Sequence, residues 1–284
     1  RQMCIRDRVS RPVRIRLGSV GTVFGAVVTA IIFMAAVVIP YLSITLAAMT
    51  ILRSAPPTPN NLTFDYFSIV VQMPTAQEAL VRSIGLGALG ATTAVALGVL
   101  VTVLTRRQST IAAKFSDFLA IAPDTVPGIV LAIGFILLWN SPWLPWSPYG
   151  TMGMLVMAFT VLFLPMAIQN IKASAESVSP TVYEAAAISG SSTLHTFGRI
   201  TLPLLAPGIF AGWLLAFFVG IRELVMSSLI RPSQVNLLAP WIMNQFDQGH
   251  RAEAMAMTLI GVGTSTVVLV AITWWQNRKA AHAR

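Results

Sequence analysis

The sequence predicts an all-α, polytopic membrane protein with six transmembrane helices. Three observations carry that prediction. Of 284 residues, 55% are hydrophobic and only 10% are charged, against about a quarter charged in a soluble domain. Mean hydropathy is +0.74. The apolar residues also fall into six runs, each near the roughly 20 residues that cross a bilayer.

Residues 1–18 form a tail rich in arginine (Arg1, Arg6, Arg8, Arg11, Arg14 and Arg16) and are read as a cytoplasmic juxtamembrane segment. The apolar run behind them is too long for a signal peptide and lacks a small-residue cleavage site. The opening RQMCIRDR bears no relation to the rest of the chain and is expected to be non-native, so no function is placed there. The membrane domain is assigned to 19–276 and a second cytoplasmic tail to 277–284.

The first apolar segment, about 20–51, is long enough to tilt and has Pro40 as a candidate kink. Residues 53–77 contain Pro56-Pro57-Thr58-Pro59-Asn60-Asn61 and read as a turn-rich outer loop. Within it, 62–67 suit a short surface helix. The second segment, about 79–104, carries Gly85, Gly87, Gly90, Ala91 and Ala94. Small residues let helices approach closely, so this segment is expected inside the bundle.

The third segment, about 118–139, is interrupted by Pro123-Asp124-Thr125-Val126-Pro127-Gly128. The following loop, 140–150, has no charge and bears Trp143, Trp146 and Tyr149, the composition of an interfacial anchor. The fourth segment, about 152–171, includes Pro165; the fifth covers about 208–230 and the sixth about 254–275. No sustained internal repeat is visible.

Lysine and arginine in alternating loops set the orientation. One side holds the six N-terminal arginines with Arg106, Arg107, Lys114, Lys172, Arg199, Arg278, Lys279 and Arg284, fourteen of the nineteen basic residues. Arg53, Arg82, Arg222, Arg231 and Arg251 lie on the other side or near its helix ends. The bias places both termini and the loop at about 173–207 in the cytoplasm. It also accounts for the net charge of +9 without nucleic acid, because the basic residues are dispersed among membrane segments.

That loop differs from its surroundings. Ser179-Pro180 supplies a cap and a first-turn proline. Tyr183, Ala186 and Ala187 share one helical face. Gly190 permits positive φ, and Ser191 or Ser192 can cap a second short helix carrying Leu194, Phe197 and Ile200. Pro203 is expected to help end it. The local reading is helix, glycine turn, helix, with an apolar knuckle at the bend.

Glu184-Ala185-Ala186, Gly190, Ile200, Leu202 and Pro203 reproduce without a gap the EAA loop of ABC-importer permeases. The chain from about 20 to 276 resembles their six-helix core, the type I importer permease fold. The stretches DTVPGIVL from Asp124 and RELVMSSLIRP from Arg222 are similar to the ferric-iron branch, which has thiamine, sulfate, polyamine and phosphonate relatives. The resemblance implies a multi-pass permease of the bacterial inner membrane with four kinds of partner. These are an ABC ATPase dimer, a periplasmic substrate-binding protein, a second permease half or homodimer copy, and the lipid membrane. Glu184 and Gly190 would fix the knuckle and Ala185 and Ala186 allow close approach to the ATPase. ATP would be used by the partner subunits, with no cofactor on this chain. In that branch one long chain often carries two such halves; this chain has one loop.

The path candidates are ionisable or broken positions at membrane depth: Asp124, Pro127 and Gly128 in the third segment, Arg222 and Glu223 in the fifth. Arg222 and Glu223 would point about 100° apart on a helix. The competing reading places Asp124 at the cytoplasmic interface and makes Arg222 and Glu223 structural. An ion-gradient-driven secondary transporter would also use Asp124 and Glu223, but it leaves the loop spacing unexplained. No G-x-x-x-x-G-K-[ST] loop occurs, so by that route the chain is no ATPase. Cys4 is the single cysteine, and His195, His250 and His282 lack metal-ligand spacing.

Overall fold

The structure is a computed structural model, and it describes residues 18–52, 54–105, 111–179 and 181–282. The arginines before Gly18, Cys4, Arg53, Arg106, Arg107, Pro180 and Arg284 lie outside the described residues. The described chain is helical, and a lone bridge between Thr50 and Leu62 is its only extended pairing.

The chain enters through α1 (Ser19–Phe33), which runs through a π turn (Met34–Val38) into α2 (Ile39–Met49). Together they make one apolar rod of 31 residues. The π turn shifts the hydrogen-bond ladder just before Pro40, where a proline has no N–H to offer. α1 buries no residue, as expected of a helix whose partner is lipid.

Asn61 organises the loop between α2 and α3 (Asp65–Gln72). Its side chain accepts from Leu52 N and donates to the carbonyls of Leu52, Ala55 and Pro56. α3 is the short helix expected near 62–67, displaced towards the C-terminus.

The core is three helices: α4 (Pro74–Thr105), α7 (Met152–Glu176) and α10 (Leu202–Ile221). Between α4 and α7 lie α5 (Ile111–Ile121), a 3-10 turn (Ala122–Thr125) and α6 (Gly128–Trp139). Between α7 and α10 lie α8 (Thr181–Ile188) and α9 (Thr193–Thr196). After α10 come α11 (Val225–Ile230), α12 (Leu238–Asp247) and α13 (Arg251–His282).

Small residues set the core, as the second segment suggested. Gly87, Gly90, Ala91 and Ala94 are buried, while Gly85 is exposed. At Gly220 the backbones of α4 and α10 touch. A Cβ there would lie 3.2 Å from Gly87 Cα, tighter than an ordinary van der Waals contact. Thr93 and Thr160 add a hydroxyl–hydroxyl bond between α4 and α7. Phe159 and Phe163 meet edge to face at 5.3 Å.

Three expected elements take a different form. The third segment is no straight span: its two halves, Lys114–Thr125 and Gly128–Trp139, are bent by 113°. Among the described residues five helices are long and apolar enough to cross a membrane, six if this bent pair counts as one span. The fifth segment does not run through to residue 230, because α10 stops at Ile221 and α11 starts at Val225. Pro203 does not end a helix. α9 passes through a π turn (Phe197–Thr201) directly into α10, giving a continuous 29-residue rod, Thr193–Ile221. The π turn again precedes the proline and removes the need for its missing donor. The helix α12 falls between the expected segments and carries too few apolar residues in sequence to read as a span.

Candidate functional site

The loop between α7 and α10 is a tight helical hairpin. Ser179 Oγ lies 2.8 Å from Thr181 Oγ1 at the start of α8. At the other end of α8, Ser191 N donates to Ala186 O and Gly190 N to Ala187 O, each at 3.1 Å. That pair of bonds, with Gly190 at φ +73°, is a Schellman closure, and its left-handed position favours glycine. Ser192 Oγ then accepts from His195 N at 3.3 Å and caps α9. Thr196 Oγ1 donates to Ser191 Oγ and ties the second helix back to the turn.

Two faces result. Tyr183 and Ala186 are buried against the bundle. Ala187, expected on the same face, is exposed. On the outer face stand Glu184, Ala185 and the apolar side chains of Ile188 and Leu194, 87% and 82% exposed. Glu184 does not fix the knuckle in the isolated chain: among the described residues its carboxylate has no ion-pair or hydrogen-bond partner. Gly190 does fix it. Ile200, Leu202 and Pro203 belong to the π turn and the first turn of α10, at the root of the hairpin.

The hairpin is seated beside a cavity of about 260 Å³. Its walls include Thr102 near the end of α4, Tyr183, Phe197, Thr201 and Leu205. Thr102 Oγ1 is buried there without a hydrogen-bond partner.

The second part of the site is a pair of helix breaks that the structure brings together. α6 packs against α11, and a Cβ on Gly128 would lie 4.0 Å from Val225 Cγ1. The break at Pro127-Gly128 therefore adjoins the break after α10. The break after α10 lies level with the middle of α4. Gly220 touches Gly87, thirteen residues into the 32 of α4, so it lies about 20 Å from one end of that helix and about 27 Å from the other at 1.5 Å per residue. A bilayer core is about 30 Å thick.

The expected helical geometry of Arg222 and Glu223 is overturned. Arg222 terminates α10 at φ −103°, ψ 6°, and its Nε donates to Phe218 O at 3.2 Å. Glu223 instead caps α11. Its carboxylate accepts from Met226 N and Ser227 N at 2.9 Å each, and from Ser227 Oγ at 3.1 Å. A carboxylate at a helix N-terminus satisfies amides that otherwise have no partner, so Glu223 builds the break. Asp124 is exposed in the 3-10 turn, on the loop side of the bend.

Sequence reasoning missed Asp117. It pairs with Lys172 at 2.8 Å, and its other oxygen, Oδ1, is buried without a partner. A lone acid on an amphipathic segment gives no such signal in sequence. Among the described residues no group of three His, Cys, Asp or Glu could hold a metal ion.

Residues 94–282 match the family described as "Binding-protein-dependent transport system inner membrane component". The chain is 22% identical over 224 residues to the "Putative 2-aminoethylphosphonate transport system permease protein PhnV" of Salmonella choleraesuis, covering 78% of this chain and 83% of that protein. It is 27% identical over 172 residues to an Fe(3+)-transport system permease protein of Haemophilus influenzae, covering 58% of this chain and 34% of that protein. The fold is similar to a chain of a bacterial ABC transporter involved in the import of alginate. There the TM-score is 0.68 at 16% identity, covering 90% of this chain and 95% of that one.

Proposed function

This chain belongs to the inner-membrane components of binding-protein-dependent transport systems, and from that premise we propose that its α8–α9 hairpin seats an ATP-hydrolysing subunit while its two helix breaks line the substrate path. The chain is the permease subunit of an ABC importer. In this reading the hairpin, both termini and the arginine-rich side are cytoplasmic. A binding protein presents substrate at the opposite face, and a second permease half completes the path.

The observation that carries the reading is the outward face of the hairpin. A rigid glycine-closed knuckle displays Ile188 and Leu194, with Glu184 beside them. Exposed apolar groups rimmed by a charge mark a protein contact. The hairpin is also the end of a lever. α9 continues into α10, and that rod ends at Arg222 and Glu223. Closure of two ATPase subunits would shift the knuckle, and a rigid rod would carry the shift to the break.

Ferric iron is the substrate we propose from the DTVPGIVL and RELVMSSLIRP stretches, supported by the Haemophilus relative. A phosphonate is the second reading, favoured by the wider match to the aminoethylphosphonate relative.

The test is a detergent pull-down with the co-expressed ATPase subunit, wild type against Gly190→Asp. Capture by wild type and loss in the variant supports the hairpin as the seat. Equal capture by both places the contact elsewhere. Capture by neither favours an ion-gradient-driven transporter.

A further inference from the structure

The bent third span does not climb through the membrane along its whole length. α6 starts at Gly128, opposite Val225 at the break after α10. It ends at Trp139, beside a loop that exposes Trp143, Trp146 and Tyr149, the mark of a bilayer edge. From the level of that break to the edge, α6 covers about 15 Å, half of a bilayer core, with about 18 Å of helix. It therefore stands steeply, and α5, bent from it by 113°, lies nearly flat and adds no rise.

α5 sits at the opposite edge. Asp117 pairs with Lys172 at 2.8 Å, and Lys172 is twenty residues beyond Met152, where α7 leaves the aromatic loop. That is about 30 Å of helix, a full bilayer core. α5 packs against α4 and α7. Ala120 is buried and Asp117 is paired, so this side of the helix faces the bundle.

The other side is apolar and bare. Ile111, Phe115, Phe118 and Leu119 recur at helical spacing and are 87%, 59%, 66% and 52% exposed. Lys114 flanks them, exposed and in none of the ion pairs among the described residues. Arg106 and Arg107 precede it in sequence, and the one acid of the segment, Asp117, is held by Lys172. A flat helix at the bilayer edge, with one apolar face and a cation beside it, fits the boundary between acyl chains and headgroups.

We infer that α5 is a membrane-surface helix and not half of a transmembrane span. Its apolar face takes the phospholipid of the leaflet on the hairpin side, with Ile111, Phe115, Phe118 and Leu119 among the acyl chains and Lys114 at the phosphates. The chain then crosses this leaflet through the 3-10 turn and the residues up to Gly128. The inference uses the membrane setting of the family and does not depend on the seat of the ATPase subunit.

The experiment uses the transporter purified with its co-expressed partner subunits and reconstituted in vesicles of phosphatidylethanolamine and phosphatidylglycerol. Nitroxides are attached at Ile111→Cys and Phe118→Cys, with Ile31→Cys as a reference on lipid-facing α1; each carries Cys4→Ser. Collisions with oxygen and with a water-soluble nickel chelate report depth. Ile111 and Phe118 should favour oxygen and agree in depth within about 5 Å, where seven residues of a spanning helix differ by about 10 Å. In the wild-type protein, a phospholipid with a photoactivatable group near the glycerol end of its acyl chain should label residues 111–119, which requires no substitution. A depth difference of about 10 Å would restore α5 as half a span. Access to the chelate alone would put the face in water, and access to neither reagent would put it under another subunit. Each of these results, or the absence of lipid label on 111–119, overturns the inference.

Discussion

Lys172 Nζ lies 2.8 Å from Asp117 Oδ2, and this ion pair fastens the bent third span to the foot of α7. Lys172 is one turn from the end of α7, where the chain leaves for the hairpin. Asp117 is seven residues ahead of Asp124, at the bend. The two parts of the site are therefore joined twice, through the α9–α10 rod and through this pair.

The pair is about two-thirds buried, with side-chain exposures of 27% and 33%. Its worth falls between about 1 kcal/mol for an exposed pair and about 3–5 kcal/mol for removing one partner of a buried pair. Lys172→Met and Asp117→Asn should each lower the detergent melting temperature and uncouple ATP hydrolysis from uptake. The exchange Lys172→Asp with Asp117→Lys should restore both. Singles that behave as wild type, or an exchange no better than the singles, would remove the pair from the coupling route.

Glu223→Ala should cost about 1–2 kcal/mol, the usual loss when an N-cap acceptor is removed. It strips the acceptor from Met226 N, Ser227 N and Ser227 Oγ together. Glu223→Gln keeps one acceptor oxygen and should lose less. Thermal unfolding in detergent ranks the three proteins; a ranking with Gln as damaging as Ala would mean that the charge, and not the cap, is decisive.

The fate of Glu223 shows what the sequence could and could not convey. The hairpin was legible because its residues act locally. Gly190, Ser192 and the three-residue spacing of Tyr183 and Ala186 carry their conformations in their chemistry. The small residues of α4 were legible for the same reason, since Gly90 packs on Phe159 wherever that helix is buried. The break at Arg222 was not. No proline marks it, Gly220 just before it reads only as a packing residue, and the break exists because a side chain caps a six-residue helix that tertiary contacts with α6 and α7 hold in place. Pro203 misled for the opposite reason. A proline normally ends a helix, but a π turn just ahead of it absorbs it.

Gly190 separates backbone strain from bulk. A Cβ there would meet nothing within 4 Å, yet φ is +73°. Substitutions should therefore follow tolerance of the left-handed region and not size: Asn is accepted best, Ala costs about 1 kcal/mol, and β-branched Val costs more. Pull-down of the ATPase subunit should fall in the order Gly, Asn, Ala, Val. Equal retention by Asn and Val would show that the closed turn is dispensable for binding.

Thr102 offers a gain. Its hydroxyl is buried in the wall of the cavity behind the hairpin with no hydrogen-bond partner. Val has nearly the same shape and no hydroxyl to desolvate, so Thr102→Val should stabilise the protein by about 1 kcal/mol. The melting temperature in detergent should rise, with ATPase capture unchanged. A fall would mean that the hydroxyl is bonded in the assembled transporter, and a loss of capture would tie the cavity to the seating of the hairpin.

Gly208 fixes how closely α7 and α10 approach beneath the hairpin. A Cβ at this position would collide with Asn170 O and with Ser174 Oγ and Cβ. Asn170 O is backbone and cannot swing aside, so even Gly208→Ala must part the helices. Overpacking of this kind costs about 1–3 kcal/mol. Gly85 is the control on α4. It is exposed with nothing within 4 Å of a Cβ, so Gly85→Ala should gain up to about 1 kcal/mol through helix propensity alone. Melting temperatures should move in opposite directions for the two variants. Because Gly208 lies at the root of the rod that bears the hairpin, its variant should also lose ATP-coupled uptake. Full uptake in Gly208→Ala would mean that the α7–α10 contact is not part of the lever.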